Sequence, residues 1–175
     1  MVDHLRYPMG QFEPNLNPSI EERRNVIYQI PEISTTLRRL VKDITPYQLQ
    51  IPYRPEGWNI QQIIHHLSDN DMNAYLRFKR ALTEEEPLSD TYREDLWAEL
   101  SDYKNVPNDL SISLLEILHN RFLILLNGMN PDDFSRTLRT QALGKITLDT
   151  ALQRFVWHNQ HHISQIRSVI NSNGW

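Results

Sequence analysis

Five of the seven histidines in this chain fall in two short clusters, His65-His66 and Trp157-His158-Asn159-Gln160-His161-His162. The second cluster lies within a helical pattern in which Leu148, Leu152, Phe155, Val156, Ile163, Ile166 and Ile170 recur at three- and four-residue steps. On such a helix His158 and His162 sit one turn apart on the same face. His161 points roughly a third of a turn away. Two imidazoles so placed can reach one divalent ion, because metal–nitrogen bonds of ~2.0–2.1 Å fit that spacing. The pair alone is a weak signal, and reads equally as a polar strip whose rings donate to nearby carbonyls.

A third ligand would have to come from the first cluster. His65 and His66 diverge by about 100° on a helix, so only one can face a shared ion. Spacing leaves the choice open, with a lean to His66 because Asn70, Asn73 and Arg77 continue its face. Those three residues, with Tyr53 and Arg54 from the preceding loop, are candidates for binding a cofactor or substrate; without a function they form an ordinary solvated edge. His4 and His119 have no clustered partners and read as incidental.

Three neutral imidazoles around zinc, nickel or a similar ion leave at least one coordination position open. An open site can lower the pKa of a bound water or thiol and so supply a nucleophile near neutral pH. A closed structural zinc site would ask for four protein ligands, usually including cysteine, and the chain has none. The missing thiols also exclude a disulfide framework and a cysteine nucleophile. A net charge of −4 argues against a general nucleic-acid binder. The richest apolar run, Phe122 to Leu126, is far short of a membrane span, and Met1 to Tyr7 lack the apolar core of a signal peptide. A cytoplasmic protein with no membrane association is the expectation.

The elements that must carry these residues are helices. Ser19 and Glu22 make a capping box for a first helix whose apolar face runs from Val26 to Ile44, with Pro31 interrupting it. Thr45-Pro46 opens a short helix through Leu49. Residues 51–57 form a loop whose Tyr53 and Arg54, with Trp58, suit the rim of a pocket. Asn59 with Gln62 caps a long second helix that ends at Glu84-Glu85-Glu86-Pro87. A short helix is expected around Glu94 to Leu100, and a third long one from Asp109 or Ser111 to Gly128. Thr137 to Ile146 suit a small hairpin turning at Gly144-Lys145, and Thr147 caps a last helix running to about Ile170. Residues 1–18, with four helix-breaking Pro and Gly residues, read as an extended arm anchored by Tyr7 and Phe12. The fold class predicted is all-α, a four-helix bundle in a single domain over residues 1–175.

With these residues in place, the sequence resembles the DinB-like superfamily, in particular its YfiT-type branch of metal-dependent hydrolases. The resemblance covers nearly the whole chain. It rests on Tyr7-Pro8-Met9-Gly10, Pro52-Tyr53-Arg54 with Gly57-Trp58, His65-His66-Leu67, Asp69, Met72 to Lys79, Trp157-His158 and His161-His162-Ile163. It implies a bundle holding one divalent metal by the histidine immediately before the leucine, which selects His66, and by His158 and His162. It also implies homodimers, and thiol S-transferases using bacillithiol, mycothiol or glutathione, with bacillithiol the thiol of the YfiT branch. The family often has a further histidine where this chain has Gln160, which puts proton handling outside the ligand shell in question.

Three functions follow as expectations. The first is a metal-dependent S-transferase joining bacillithiol to an electrophile, with Arg54 and Arg77 placed to hold the thiol's carboxylates. The second is a hydrolase with a metal-bound water as nucleophile. No acidic residue adjoins a ligand histidine to serve as its base, since Asp69 and Asp71 lie on other faces of the helix. The third is a non-catalytic, stress-related dimer that the metal stabilises.

Overall fold

The computed structural model describes residues 4–89, 91–141 and 143–175. The first three residues of the expected arm lie outside them. Helices α1 (Ile20–Tyr28) and α2 (Ile30–Val41) form the first arm of the bundle. The Ser19–Glu22 capping box is formed, and the interruption falls at Gln29, which leaves Pro31 in the first turn of α2. There a missing N–H removes no helix hydrogen bond, so the chain bends without losing its direction. A short α3 (Pro46–Leu49) and a loop lead to α4 (Ile60–Thr83), opened by the Asn59–Gln62 capping box.

The short helix expected around Glu94 to Leu100 is the single turn α5 (Glu94–Trp97), and a further, unexpected short helix, α6 (Ser101–Asn105), follows it. Helix α7 (Asn108–Asn127) starts one residue earlier than expected, directly after Pro107. A 3-10 turn (Pro131–Ser135) precedes the hairpin of β1 (Thr137–Thr140) and β2 (Gly144–Thr147). Its turn is not at Gly144-Lys145, since Gly144 and Lys145 already pair with Thr140 and Arg139. Gly144, at φ +65°, instead ends the turn in the left-handed region that glycine adopts without a Cβ clash. Helix α8 (Leu148–Asn173) runs three residues past the expected Ile170. Ser172 and Asn173 lie outside the apolar period but bond back to the Val169 carbonyl, and Gly174 closes the helix in the left-handed conformation.

Helix α4 packs against both α7 and α8, and α2 closes the bundle on the same two helices. Ile30, Leu37, Ile63, Ile64, Leu67, Ile112, Leu115 and Ile166 are wholly or almost wholly buried. Phe122 meets Phe78 and Phe155 edge-on, with centroids 4.8 and 5.0 Å away. The architecture is a four-helix bundle with a minor two-stranded sheet. No helix among the described residues is long and apolar enough to cross a membrane.

One stripe of the interior is polar. Along α4, His65, His66, Ser68 and Asp71 are buried; along α8, so are Asn159, His161, His162 and Gln165. Burying such groups is costly unless each finds a partner or a ligand. The stripe therefore marks where the bundle gives up packing for chemistry.

Candidate metal centre

His66 projects from the second turn of α4, and His158 and His162 from consecutive turns of α8. One ring nitrogen from each lies within 4.8 Å of the other two. The Nε2 atoms of His66 and His158 are 3.4 Å apart, close to the ~3.3 Å that two ligands of one tetrahedral zinc would show. His162 Nδ1 is 2.8 Å from Gln165 Oε1, an acceptor, so that nitrogen carries the proton and Nε2 keeps its lone pair for an ion. Nδ1 of His66 and of His158 is buried with no partner. Burial pushes the pKa of His66 down to about 3. His158 and His162 are held well below the ordinary value by burial first and then by the neighbouring imidazoles. All three are neutral at physiological pH, which is the state a metal requires. The donor set thus fits a divalent ion.

The other histidines have separate duties. His65 turns its Nδ1 to Ser111 Oγ at 2.8 Å and packs on Tyr103, so it does not face the cluster. His161 stacks on Trp157 at 4.9 Å, and its Nε2 is 3.0 Å from Gln165 Nε2. His119 is not incidental. It is buried, with Nε2 2.7 Å from Asp71 Oδ2, while Asp71 Oδ1 accepts from Asn159 and Asn70. Residues from α4, α7 and α8 are thereby tied together, with Asn159 next to His158 in the chain. Spacing gave no hint of this, because the partners sit on three different helices.

The three nitrogens open into a cavity of about 520 Å³. Trp58 lies over the cluster, 4.5 Å from His66 and 6.0 Å from His162 between ring centroids. Tyr53 and Arg54 line the wall beside it, as the rim residues were expected to. Arg54 donates to the Tyr53 hydroxyl and to the Pro55 carbonyl. Gly57 permits this fold of the loop, since a Cβ there would come within 2.8 Å of both side chains. The N-terminal arm covers the far side: Tyr7 packs on His161, Phe12 on Trp157, and Gln165 donates to the Arg6 carbonyl.

A second, smaller chamber of about 200 Å³ meets the first at His158, and Arg154, Glu94 and Leu143 border both. Asn70 and Arg77 line this chamber rather than the larger one. Asn73 lines neither; its amide donates to the Asp69 carbonyl one turn back. Gln160 faces Gln29 across the surface, away from the cluster, so its departure from the family pattern leaves the metal environment untouched. Two residues that spacing alone passed over are prominent here. Arg154 precedes His158 by one turn and Gln165 follows His162 by three residues, both signals that a search confined to histidines overlooks.

Three inward histidines on facing helices with an open cavity over them are the ligand arrangement of metal-binding helical bundles. The model of the DinB superfamily matches residues 32–166, and the chain belongs to that superfamily. It is similar to the protein named "Putative metal-dependent hydrolase YfiT" of Bacillus subtilis, 38% identical over 173 residues, covering 98% of this chain and 97% of that one. An Oceanobacillus iheyensis protein of the same description is 39% identical over 173 residues, covering 97% of this chain and 98% of its own length. The solved structure of Bacillus subtilis YfiT superposes with a TM-score of 0.95 over 98% of this chain and 99% of that one. A mycothiol-dependent maleylpyruvate isomerase mutant, at 17% identity, 79% and 60% coverage and a TM-score of 0.61, shares the fold.

Proposed function

We propose that this chain is a metal-dependent thiol S-transferase, with bacillithiol as its thiol and a small electrophile as acceptor. The observation that carries the proposal is the chemistry around the three histidines. No carboxylate among the described residues lies within hydrogen-bonding distance of His66, His158 or His162, and the polar neighbour of His162 is the neutral Gln165. A bound divalent ion supplies a Lewis acid that lowers the pKa of whatever thiol or water meets it. A thiol starts near ~8.5 and needs little help to ionise at neutral pH, whereas water starts from ~15.7 and profits from a base in reach. Arg6, Arg54 and Arg154 line the cavity against Glu56 and Glu94, a balance that favours an anionic thiol.

The residues divide the work. His66, His158 and His162 hold the ion, Gln165 orients His162, and Trp58 with the arm's Tyr7 and Phe12 keeps bulk water from the cluster. A chain without cysteine takes its sulfur nucleophile from the co-substrate. With a chloromethyl acceptor, a sulfur–carbon bond forms, the carbon–chlorine bond breaks, chloride leaves with the electron pair and the thiol proton passes to solvent.

The test is conjugation of monochlorobimane by metal-loaded protein with bacillithiol, glutathione, cysteine or no thiol, beside a folded His158→Ala variant. Conjugation that needs both bacillithiol and His158 is expected. Rates at background with every thiol would overturn the proposal.

A hydrolase is the second reading, favoured by Glu94. Burial raises the pKa of this carboxylate, and it lines the cavity that the three histidines also line. Ester hydrolysis abolished by Glu94→Gln, in protein inert toward thiols, would establish it.

A further inference from the structure

Arg154 is a half-buried cation without a hydrogen bond or ion pair among the described residues. Burial lowers its pKa, and Glu94 offsets this only through space, at a separation beyond an ion pair. The guanidinium sits 5.9 Å from the centroid of Phe12. A desolvated guanidinium left unmatched is costly, and its planar fork suits a carboxylate. Its position is equally specific: one turn from His158, at the junction of the two cavities.

The smaller cavity that opens from this junction differs from the larger one. Phe78, Leu138, Ile146, Ala151 and Phe155 form apolar walls. At its polar edge stands Tyr92, whose buried hydroxyl has no hydrogen-bond partner. Its volume of about 200 Å³ is below the ~300–1,000 Å³ typical of drug-sized ligands, so its occupant is compact.

We propose that this smaller chamber is a binding site for an organic carboxylate with a compact apolar body, the carboxylate held by Arg154 beside His158 and the body lying against Phe78, Leu138, Ile146 and Phe155. The assignment of that carboxylate as the acceptor, meeting a thiol that enters through the larger cavity, rests on the transferase proposal. The binding itself does not.

The experiment is a fluorine NMR titration of the metal-free full chain with 4-fluorobenzoate and its neutral counterpart 4-fluorobenzamide. Wild type is compared with Arg154→Met, Arg154→Lys and Ala151→Leu, each checked for an unchanged fold by circular dichroism and melting temperature. Wild type is expected to bind the benzoate about tenfold or more tightly than the benzamide. Arg154→Met should erase that preference and leave the benzamide where it was, Arg154→Lys should keep part of it, and Ala151→Leu should weaken both probes by filling the chamber. Equal binding of the two probes by wild type, a preference that survives Arg154→Met, or unchanged binding to Ala151→Leu would each overturn the proposal. No metal and no turnover enter the readout, so a protein that fails to conjugate thiols leaves the result standing, and the reverse holds as well.

Discussion

His66 and His158, 92 residues apart in the chain, meet with their Nε2 atoms 3.4 Å from one another. Two neutral imidazoles brought this close, in a site too dry to charge either, leave lone pairs that a divalent ion satisfies together. Metal binding should therefore be coupled to stability. At a free metal concentration a hundredfold above Kd, the ion contributes about 2.7 kcal/mol. For a chain of this size that is a melting temperature raised by ~5–10 °C. His158→Ala should lose both the stoichiometric ion and the rise. A chelator that leaves the wild-type melting temperature where it was would contradict the coupling.

Gln165 acts on the ion through His162. Its Oε1 accepts from His162 Nδ1, and its Nε2 donates to the Arg6 carbonyl, so one side chain fixes both a ligand's tautomer and the covering arm. Removing such a partner weakens metal affinity about 10–100-fold in comparable sites. Gln165→Leu should show that loss in a competitive metal titration, while Gln160→Leu, which faces Gln29, should not. Equal affinities for the two variants would dismiss the orienting role.

Asp71 is fully buried and is hydrogen-bonded by His119, Asn159 and Asn70. Asp71→Ala takes the partner from His119 Nε2 and one of two acceptors from the Asn159 amide, which keeps the Phe155 carbonyl, and a buried polar group left unsatisfied costs ~1–3 kcal/mol. Urea unfolding should show a lower midpoint with an unchanged slope. A shift worth under about 1 kcal/mol would mean the network contributes little.

Acid should loosen the metal-free protein. Burial lowers His66 to about 3 and His161 to about 4, while the unfolded chain titrates near ~6.5. Between those values the unfolded state binds the extra protons, so stability is complete above pH ~6.5, falls as pH drops through the window and levels off below it. For the enclosed His66 the slope is at most about 1.4 kcal/mol per pH unit. Melting temperatures of metal-free protein from pH 7.5 down to 4.5 measure this. A flat profile would mean these rings take up protons in the fold.

Much of the bundle is readable along the chain because its determinants are local. The capping pairs Ser19–Glu22 and Asn59–Gln62 form as the sequence implies, and Thr45 caps its short helix, since each such contact spans one helical turn. The departures are local as well: the break at Gln29, the hairpin turn ahead of Gly144 and the three extra residues of α8 all concern how an element ends. Half of the metal centre is legible for the same reason, as His158 and His162 share a face through nothing more than a spacing of four.

By itself, then, the sequence determined the helices, their caps, the absence of any thiol and the imidazole pair on α8. Each of these depends on interactions within a turn or two of chain. Tertiary structure decided the rest. The rotation of α4 against α7 and α8 turned His66 toward the pair and His65 toward Ser111, a choice that their adjacent positions left open. Packing also joined Asp71, His119 and Asn159 and set Arg154 unpaired where two cavities meet. Those relationships join residues on different helices, and no periodicity of one helix encodes the face its neighbour presents.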